Sequence, residues 1–180
     1  MAKKQPDIPR VIRLRRERVE NRRGYLELAA KLIAIAAAVW LIFTQVFLFT
    51  QVEGSGMFPA VKDGDLLIVF RLQRDYAAKD IVVYTRDGQR RLGRIVAREN
   101  DVVQMDDGGS LVVNGTTQTG EILYPTYART GIEYPYRVTE DSVFVLGDYR
   151  TQAEDSRDFG PVPMESVQGK VITILRRRGM

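Results

Sequence analysis

Residues 52–59 read Val52-Glu53-Gly54-Ser55-Gly56-Met57-Phe58-Pro59, and they directly follow an almost purely apolar run. That run extends from residue 28 to residue 49 and gives about 20 residues, enough to cross the hydrocarbon core of a bilayer. Beyond residue 59 the chain becomes polar, with short hydrophobic runs between turn signals. The stretch at 52–59 therefore marks the border between a membrane-spanning segment and a separate domain.

Four motifs in this order resemble those of type I signal peptidases. In the first, Val52, Gly54, Met57 and Pro59 match the family pattern Val-x-Gly-x-Ser-Met-x-Pro. Four ordered motifs are far more specific than one short motif, and the resemblance extends from the membrane segment to Arg176. The other three motifs are Gly64-Asp65-Leu66-Leu67-Ile68-Val69, Gly93-Arg94-Ile95-Val96-Ala97 and Gly147-Asp148-Tyr149-Arg150-Thr151-Gln152-Ala153-Glu154-Asp155-Ser156-Arg157.

This chain departs from the family pattern at the residues that carry the chemistry. Gly56 stands at the position of the nucleophilic serine, Gly93 at that of the general-base lysine, and Ala153 at that of the serine that would orient the lysine. A Ser-Lys dyad needs a hydroxyl nucleophile and a desolvated amine, and glycine supplies neither. We therefore predict no catalytic residue, and a structural role for the retained polar positions Asp148, Arg150, Asp155, Ser156 and Arg157.

The absence of histidine and cysteine excludes several other kinds of site. Ser-His-Asp and Cys-His hydrolase chemistry, thiol redox chemistry and the usual zinc sites all need one of these residues. We expect neither a metal nor a cofactor. Ser55 adjoins the empty serine position, but in an extended segment it faces away from the cleft, and Lys62 lies in a polar turn where a lysine is normally solvated.

The charge around the apolar run predicts its orientation in the membrane. Nine Lys or Arg residues precede Tyr25, against three Asp or Glu residues, and the positive-inside rule places such a tail in the cytoplasm. We predict a basic cytoplasmic tail at 1–24, a transmembrane helix at 25–50 and an extracytoplasmic domain at 51–180, hence a single-pass protein of the cell membrane. Topology and anionic lipid account for the basic tail, so we expect no nucleic-acid partner. A cleaved secretory signal is the alternative, but Ala34-Ile35-Ala36 lies inside the run.

The domain at 51–180 has the pattern of a mainly β protein. Short runs rich in Val, Ile, Leu and Tyr alternate with turns such as Asn114-Gly115. The resemblance implies the coiled antiparallel β-sheet fold of signal peptidases. The tract 116–138 is less patterned. The predicted strands are 66–72, 81–85, 91–97, 102–105, 111–113, 143–146 and 171–175.

The resemblance also implies a peptide-binding cleft, because signal peptidases hold an extended peptide against strand edges. We predict binding without cleavage, in a chaperone or scaffold for secreted surface proteins, and the chain resembles signal-peptidase-like pilus-assembly proteins of Gram-positive bacteria. The expected partners are an extended segment of a secreted or pilin protein, membrane lipid, and a sortase or an active signal peptidase. The alternative is an active, or engineered-inactive, type I signal peptidase. The predicted cleft residues are Val52, Gly54, Ser55, Gly56, Met57, Arg91, Leu92 and Gly93.

Overall fold

The computed structural model describes residues 8–119 and 124–176, with only the backbone for residues 8–21 and 23. The chain divides into two compact units, Met1–Thr44 and Gln45–Met180. The start of the predicted basic tail (residues 1–7) and residues 120–123 of the less patterned tract lie outside the described residues.

The described residues of the first unit belong to one long helix, α1, which spans Ile8–Val46 and so ends two residues inside the second unit. Its part at Gly24–Val46 has 23 residues with a mean hydropathy of 2.1, about 35 Å of helix against a hydrocarbon core of about 30 Å. Apolar side chains on all its faces are exposed, including Tyr25 and Trp40. Among the described residues, this is the one helix long and apolar enough to cross a membrane.

The apolar span of this helix, Gly24–Val46, starts one residue before the predicted transmembrane helix at 25–50 and ends four residues before its predicted end. The helix begins at Ile8, inside the predicted tail, and ends at Val46. The last apolar residues of the run form a strand, β1 (Phe47–Gln51), that pairs antiparallel with β2 (Leu66–Phe70). Apolar composition alone does not separate these two uses of Phe47–Gln51, since both a membrane helix and a sheet strand bury such side chains.

The second unit is built from two antiparallel sheets, which confirms the mainly β prediction. The elements after β2 are β3 (Ile81–Arg86), β4 (Gln89–Ala97), β5 (Val102–Met105), β6 (Leu111–Val113), β7 (Thr116–Thr117), β8 (Tyr136–Arg137), β9 (Ser142–Leu146), α2 (Ser156–Phe159), β10 (Val162–Pro163), a 3-10 turn (Met164–Ser166) and β11 (Val167–Leu175). A seven-stranded sheet has the order β1-β2-β11-β3-β4-β9-β10, and a four-stranded sheet has the order β7-β6-β5-β8. Strands β1, β7, β8 and β10 were not predicted, and the last three have only two residues each.

Strand β4 is paired on one edge along its first part and on both edges only from Arg94 onward. It pairs with β3 over its first part, from Gln89 opposite Arg86 to Arg94 opposite Ile81. It pairs with β9 only from Arg94 to Ala97. In the described part of the chain, no strand therefore covers the second edge of β4 before Arg94.

The first motif is fixed to the domain by its two buried hydrophobic side chains. Val52 and Met57 pack in a core cluster with Val61, Leu67 and Val83. The backbone N–H of Val52 donates to the carbonyl of Asp65 at 2.9 Å, which joins the first motif to the second. The residues between Val52 and Met57 therefore form a short loop held at both ends.

Candidate functional site

A cavity of about 960 Å³ lies between three segments that are distant in sequence. Its walls are residues 50–57, the hairpin of β3 and β4, and residues 152–154 after β9. The structure brings together all but one of the predicted cleft residues here; Gly93 does not line the cavity. The predicted residues that do line it are Val52, Gly54, Ser55, Gly56, Met57, Arg91 and Leu92.

The loop between Val52 and Met57 turns instead of running as an extended strand. Gly54 has φ +87, a left-handed conformation that favours glycine, and its N–H donates to Asp63 Oδ1 at 2.7 Å. Ser55 is exposed and lines the cavity. The prediction that Ser55 faces away from the cleft is therefore wrong, because strict alternation of side chains holds only for an extended backbone.

Gly56 and Ala153, two of the three positions that differ from the family pattern, lie side by side in one wall of the cleft. A Cβ built at Gly56 would lie 3.7 Å from Cβ of Ala153, an ordinary van der Waals contact. The carbonyl of Gly56 accepts from the N–H of Tyr149 at 3.0 Å. A Cβ at Gly147 would lie 2.6 Å from that carbonyl oxygen and would overlap Ala153. Gly147 thus allows the close approach of the two loops, and the wall has room for a small side chain at Gly56.

Gly93 points in another direction, into the core of the sheet. A Cβ built there would lie 3.1 Å from Cβ of Val145 and 3.3 Å from Cε1 of Tyr84. Both neighbours are almost fully buried, and burial raises the pKa of Tyr84. The volume that a side chain at position 93 would enter is therefore already filled. Gly93 was predicted as a cleft residue, and its position facing Tyr84 and Val145 corrects that prediction.

An ion pair inside the cleft was missed by the sequence analysis. Arg91 Nη1 lies 2.8 Å from Glu154 Oε2, which joins β4 to the loop after β9. The hydrogen bond to Glu154 raises the pKa of Arg91. Its Nε is buried and has no hydrogen-bond partner among the described residues. The sequence gives no signal for this pair, since Arg91 precedes the third motif and Glu154 lies 63 positions later, in the fourth.

The predicted structural residues Asp155 and Arg157 form a buried ion pair behind the cleft. Both side chains are 2% exposed, and Nε and Nη2 of Arg157 each donate to the carboxylate at 2.8 Å. The N–H of Gly147 donates to Asp155 Oδ2 at 3.1 Å. Ser156 Oγ accepts from the N–H of Val145 at 3.0 Å. This network fixes the start of α2 against β9.

Asp148 and Arg150 extend the same network toward the third motif. Asp148 accepts two hydrogen bonds from Arg94, at 2.7 and 2.5 Å. Arg150 is 1% exposed, and its Nε donates to the carbonyl of Gly147 at 2.8 Å. Arg157 Nη2 donates to the carbonyl of Arg150 at 2.6 Å. Arg150 and Arg157 therefore stabilise the segment 147–157, which places Ala153 in the wall of the cleft.

Comparisons with known proteins give matches over the part of the chain that contains the four motifs. Residues 25–175 match the family described as signal peptidase, peptidase S26. The chain is 30% identical over 169 residues to signal peptidase I of Bacillus licheniformis, covering 85% of this chain and 90% of that protein. It is 32% identical over 160 residues to signal peptidase I of Bacillus caldolyticus, covering 74% and 84%.

Two further matches cover a smaller share, in one case of the other protein and in the other case of this chain. The chain is 30% identical over 161 residues to the probable thylakoidal processing peptidase 2 of Arabidopsis thaliana, covering 79% of this chain and 42% of that protein. It therefore spans less than half the length of this plant relative and most of the length of the Bacillus relatives. A crystal structure of a signal peptidase I from Enterococcus faecalis matches with a TM-score of 0.48 and 26% identity, covering 55% of this chain and 97% of that one.

Proposed function

The chain belongs to the signal peptidase family of peptidase S26, and from that premise we propose that it binds an extended peptide segment in its cleft without cleaving it. Gly56, Gly93 and Ala153 stand where the family resemblance places the nucleophile, the base and its orienting serine. No lysine lines the cleft in the described part of the chain. The filled space at Gly93 supports the proposal further, because a lysine there would meet Tyr84 and Val145.

The free edge of β4 is the observation that carries this proposal. Residues 89–92 line the cleft, and β9 joins β4 only from Arg94 onward. An extended peptide adds to such an edge through main-chain hydrogen bonds, while pockets for alternate side chains give specificity. This mode of binding needs neither a nucleophile nor a base. Loss of the dyad therefore removes cleavage and leaves the binding surface.

Arg91 gives the cleft a polar contact for a bound peptide. Its Nη1 is held by Glu154, whereas its buried Nε lacks an acceptor within the described residues. A buried donor without an acceptor costs about 1–3 kcal/mol, so a peptide carbonyl placed there is stabilising. The charge of Arg91 is already paired with Glu154. The cleft therefore favours main-chain carbonyls over acidic side chains.

The apolar part of α1 serves as the membrane anchor in this proposal. The excess of basic residues before Tyr25 favours a cytoplasmic N-terminus by the positive-inside rule, and the β domain then lies on the extracytoplasmic side. At that location the peptide comes from an exported protein. We propose a chaperone or scaffold role in assembly of secreted surface proteins such as pili, with a segment of a secreted or pilin protein as the occupant and a sortase or an active signal peptidase as neighbours.

An active signal peptidase is the second candidate function, and the position of one serine favours it. Ser55 is exposed and lines the cleft one residue before the family position of the nucleophile. The candidate also needs a base, and the cations that line the cleft are Arg90 and Arg91 within the described ranges. A guanidinium does not deprotonate near neutral pH and cannot take the proton of a serine. We therefore favour binding over cleavage.

Binding is tested with the full chain in phosphatidylcholine nanodiscs and a fluorescein-labelled synthetic signal peptide. Fluorescence anisotropy should show saturable binding that Gly56→Trp weakens at least tenfold, because the indole enters the cleft beside Ala153. Gly108→Trp is the matched control: Gly108 lies in the exposed β5–β6 turn and lines no part of the cleft. Ser55→Trp is a second blocking variant at an exposed position.

The outcome is read together with thermal unfolding by circular dichroism. Weaker binding in the two cleft variants, with unfolding temperatures like that of the control, supports the cleft. Normal binding by folded Gly56→Trp and Ser55→Trp would contradict it and place the peptide elsewhere.

A further inference from the structure

A second cavity, of about 360 Å³, lies outside the cleft and shares no lining residue with it. It is bounded by the end of the first motif and the adjoining Ala60, by β4 of the large sheet and by the start of β6 in the small sheet. Ile95, Leu111 and Pro59 give it an apolar wall. Its volume lies at the lower end of the range for small-molecule sites, about 300–1,000 Å³.

The charged residues at this cavity have an excess of positive charge. Lys79, Arg94 and Arg150 line it, against the single carboxylate of Asp148. That carboxylate is committed to Arg94 through two hydrogen bonds. Lys79 and Arg150 form no ion pair with any residue that the structure describes. The cavity therefore presents two cations that have no ion-pair partner among the described residues.

Arg150 is the buried cation of the pair, with one donor group unused. Its side chain is 1% exposed, its Nε donates to Gly147 and its Nη1 donates to Thr126 Oγ1 at 2.6 Å. The remaining nitrogen, Nη2, is buried and lacks a hydrogen-bond partner across the described ranges. Burial lowers the pKa of Arg150 to about 10, which reflects how poorly this environment tolerates the unpaired charge.

We propose that this cavity binds a small anion with an apolar body, a carboxylate or a phosphate monoester. The anionic head accepts from Nη2 of Arg150 and pairs with Lys79 at the exposed side. The hydrocarbon part packs against Ile95 and Leu111. A free organic acid and a lipid headgroup share this chemistry. The site does not depend on peptide binding in the cleft, since the two cavities have separate walls.

Isothermal titration calorimetry on the full chain in phosphatidylcholine nanodiscs tests the site, with empty nanodiscs as the reference. The probes are hexanoate, hexyl phosphate, 1-hexanol and inorganic phosphate. We expect saturable binding of hexanoate or hexyl phosphate, at least tenfold tighter than that of hexanol or inorganic phosphate. Nanodiscs that contain phosphatidate distinguish the source: competition with hexanoate identifies a lipid headgroup, and unchanged hexanoate binding identifies a soluble anion.

Three variants locate the binding. Ala78→Leu fills the cavity without a change of charge, and Lys79→Asn removes a charge while keeping a residue that tolerates the positive φ of 78. Each should weaken hexanoate binding at least fivefold, whereas Lys62→Gln, at an exposed lysine outside the cavity, should not. Arg150→Met should abolish binding if it folds, and the other variants remain decisive if it does not. Equal affinity for hexanoate and hexanol, or full binding by folded Ala78→Leu, would overturn the proposal.

Discussion

The cleft wall formed by Gly56 and Ala153 and the buried network of Asp155 and Arg157 meet at Gly147, yet they differ in the polar side chains that they carry. At the wall, Gly56 and Ala153 offer no reactive group, and Gly93 is packed under Tyr84. Behind it, Asp155 and Arg157 are fully paired. The polar residues that hold the scaffold are thus in place, whereas none of these three positions carries a side chain that could act as a nucleophile or a base. Within the segment 147–157, the side chains that stabilise the fold are therefore distinct from the position, Ala153, that lines the cleft.

The largest expected effect comes from breaking the buried network. Asp155→Ala leaves Arg157 buried without its carboxylate and removes the acceptor of the Gly147 N–H. Loss of one partner of a buried pair costs about 3–5 kcal/mol of unfolding free energy. Thermal unfolding of the full chain in nanodiscs should therefore move to a much lower temperature, or the variant should fail to fold.

Asp75→Ala is the matched control for this change. Asp75 also pairs with an arginine, Arg98, but at 3.4 Å and with a side chain that is 96% exposed. Exposed pairs contribute little to stability, so this variant should unfold like the wild type. Equal unfolding temperatures for Asp155→Ala and Asp75→Ala would contradict a structural role for the network.

A smaller effect should distinguish the two glycines at the dyad positions. Gly93→Ala places a methyl group 3.1 Å from Val145 and 3.3 Å from Tyr84, and overpacking of this kind costs about 1–3 kcal/mol. Gly56→Ala places the same group 3.7 Å from Ala153, which is an ordinary contact. Thermal unfolding should thus report a loss of stability in the first variant and almost none in the second. Equal stability of the two variants would show that the space at Gly93 is open.

The sequence predicted the longer strands of the β domain better than the contacts between distant segments in the cleft. Strands β5 and β6 have the predicted bounds because short hydrophobic runs bounded by turns carry a local signal. Strand β1 was missed because its apolar residues continue the membrane run. The bend at Gly54 and the burial of Gly93 depend on packing between distant segments, as does the Arg91–Glu154 pair, and no local pattern encodes such contacts.

The central claim, binding without cleavage, is tested most directly by incubating the full chain in nanodiscs with the peptide that it binds. Mass spectrometry after prolonged incubation near neutral pH should find the signal peptide intact at a concentration at which anisotropy shows the cleft to be occupied. The proposed function assigns no side chain at Gly56 or Gly93 that can attack the scissile carbonyl or accept the proton. Cleaved peptide that disappears specifically in Ser55→Ala would contradict the account, because it would make Ser55 a working nucleophile.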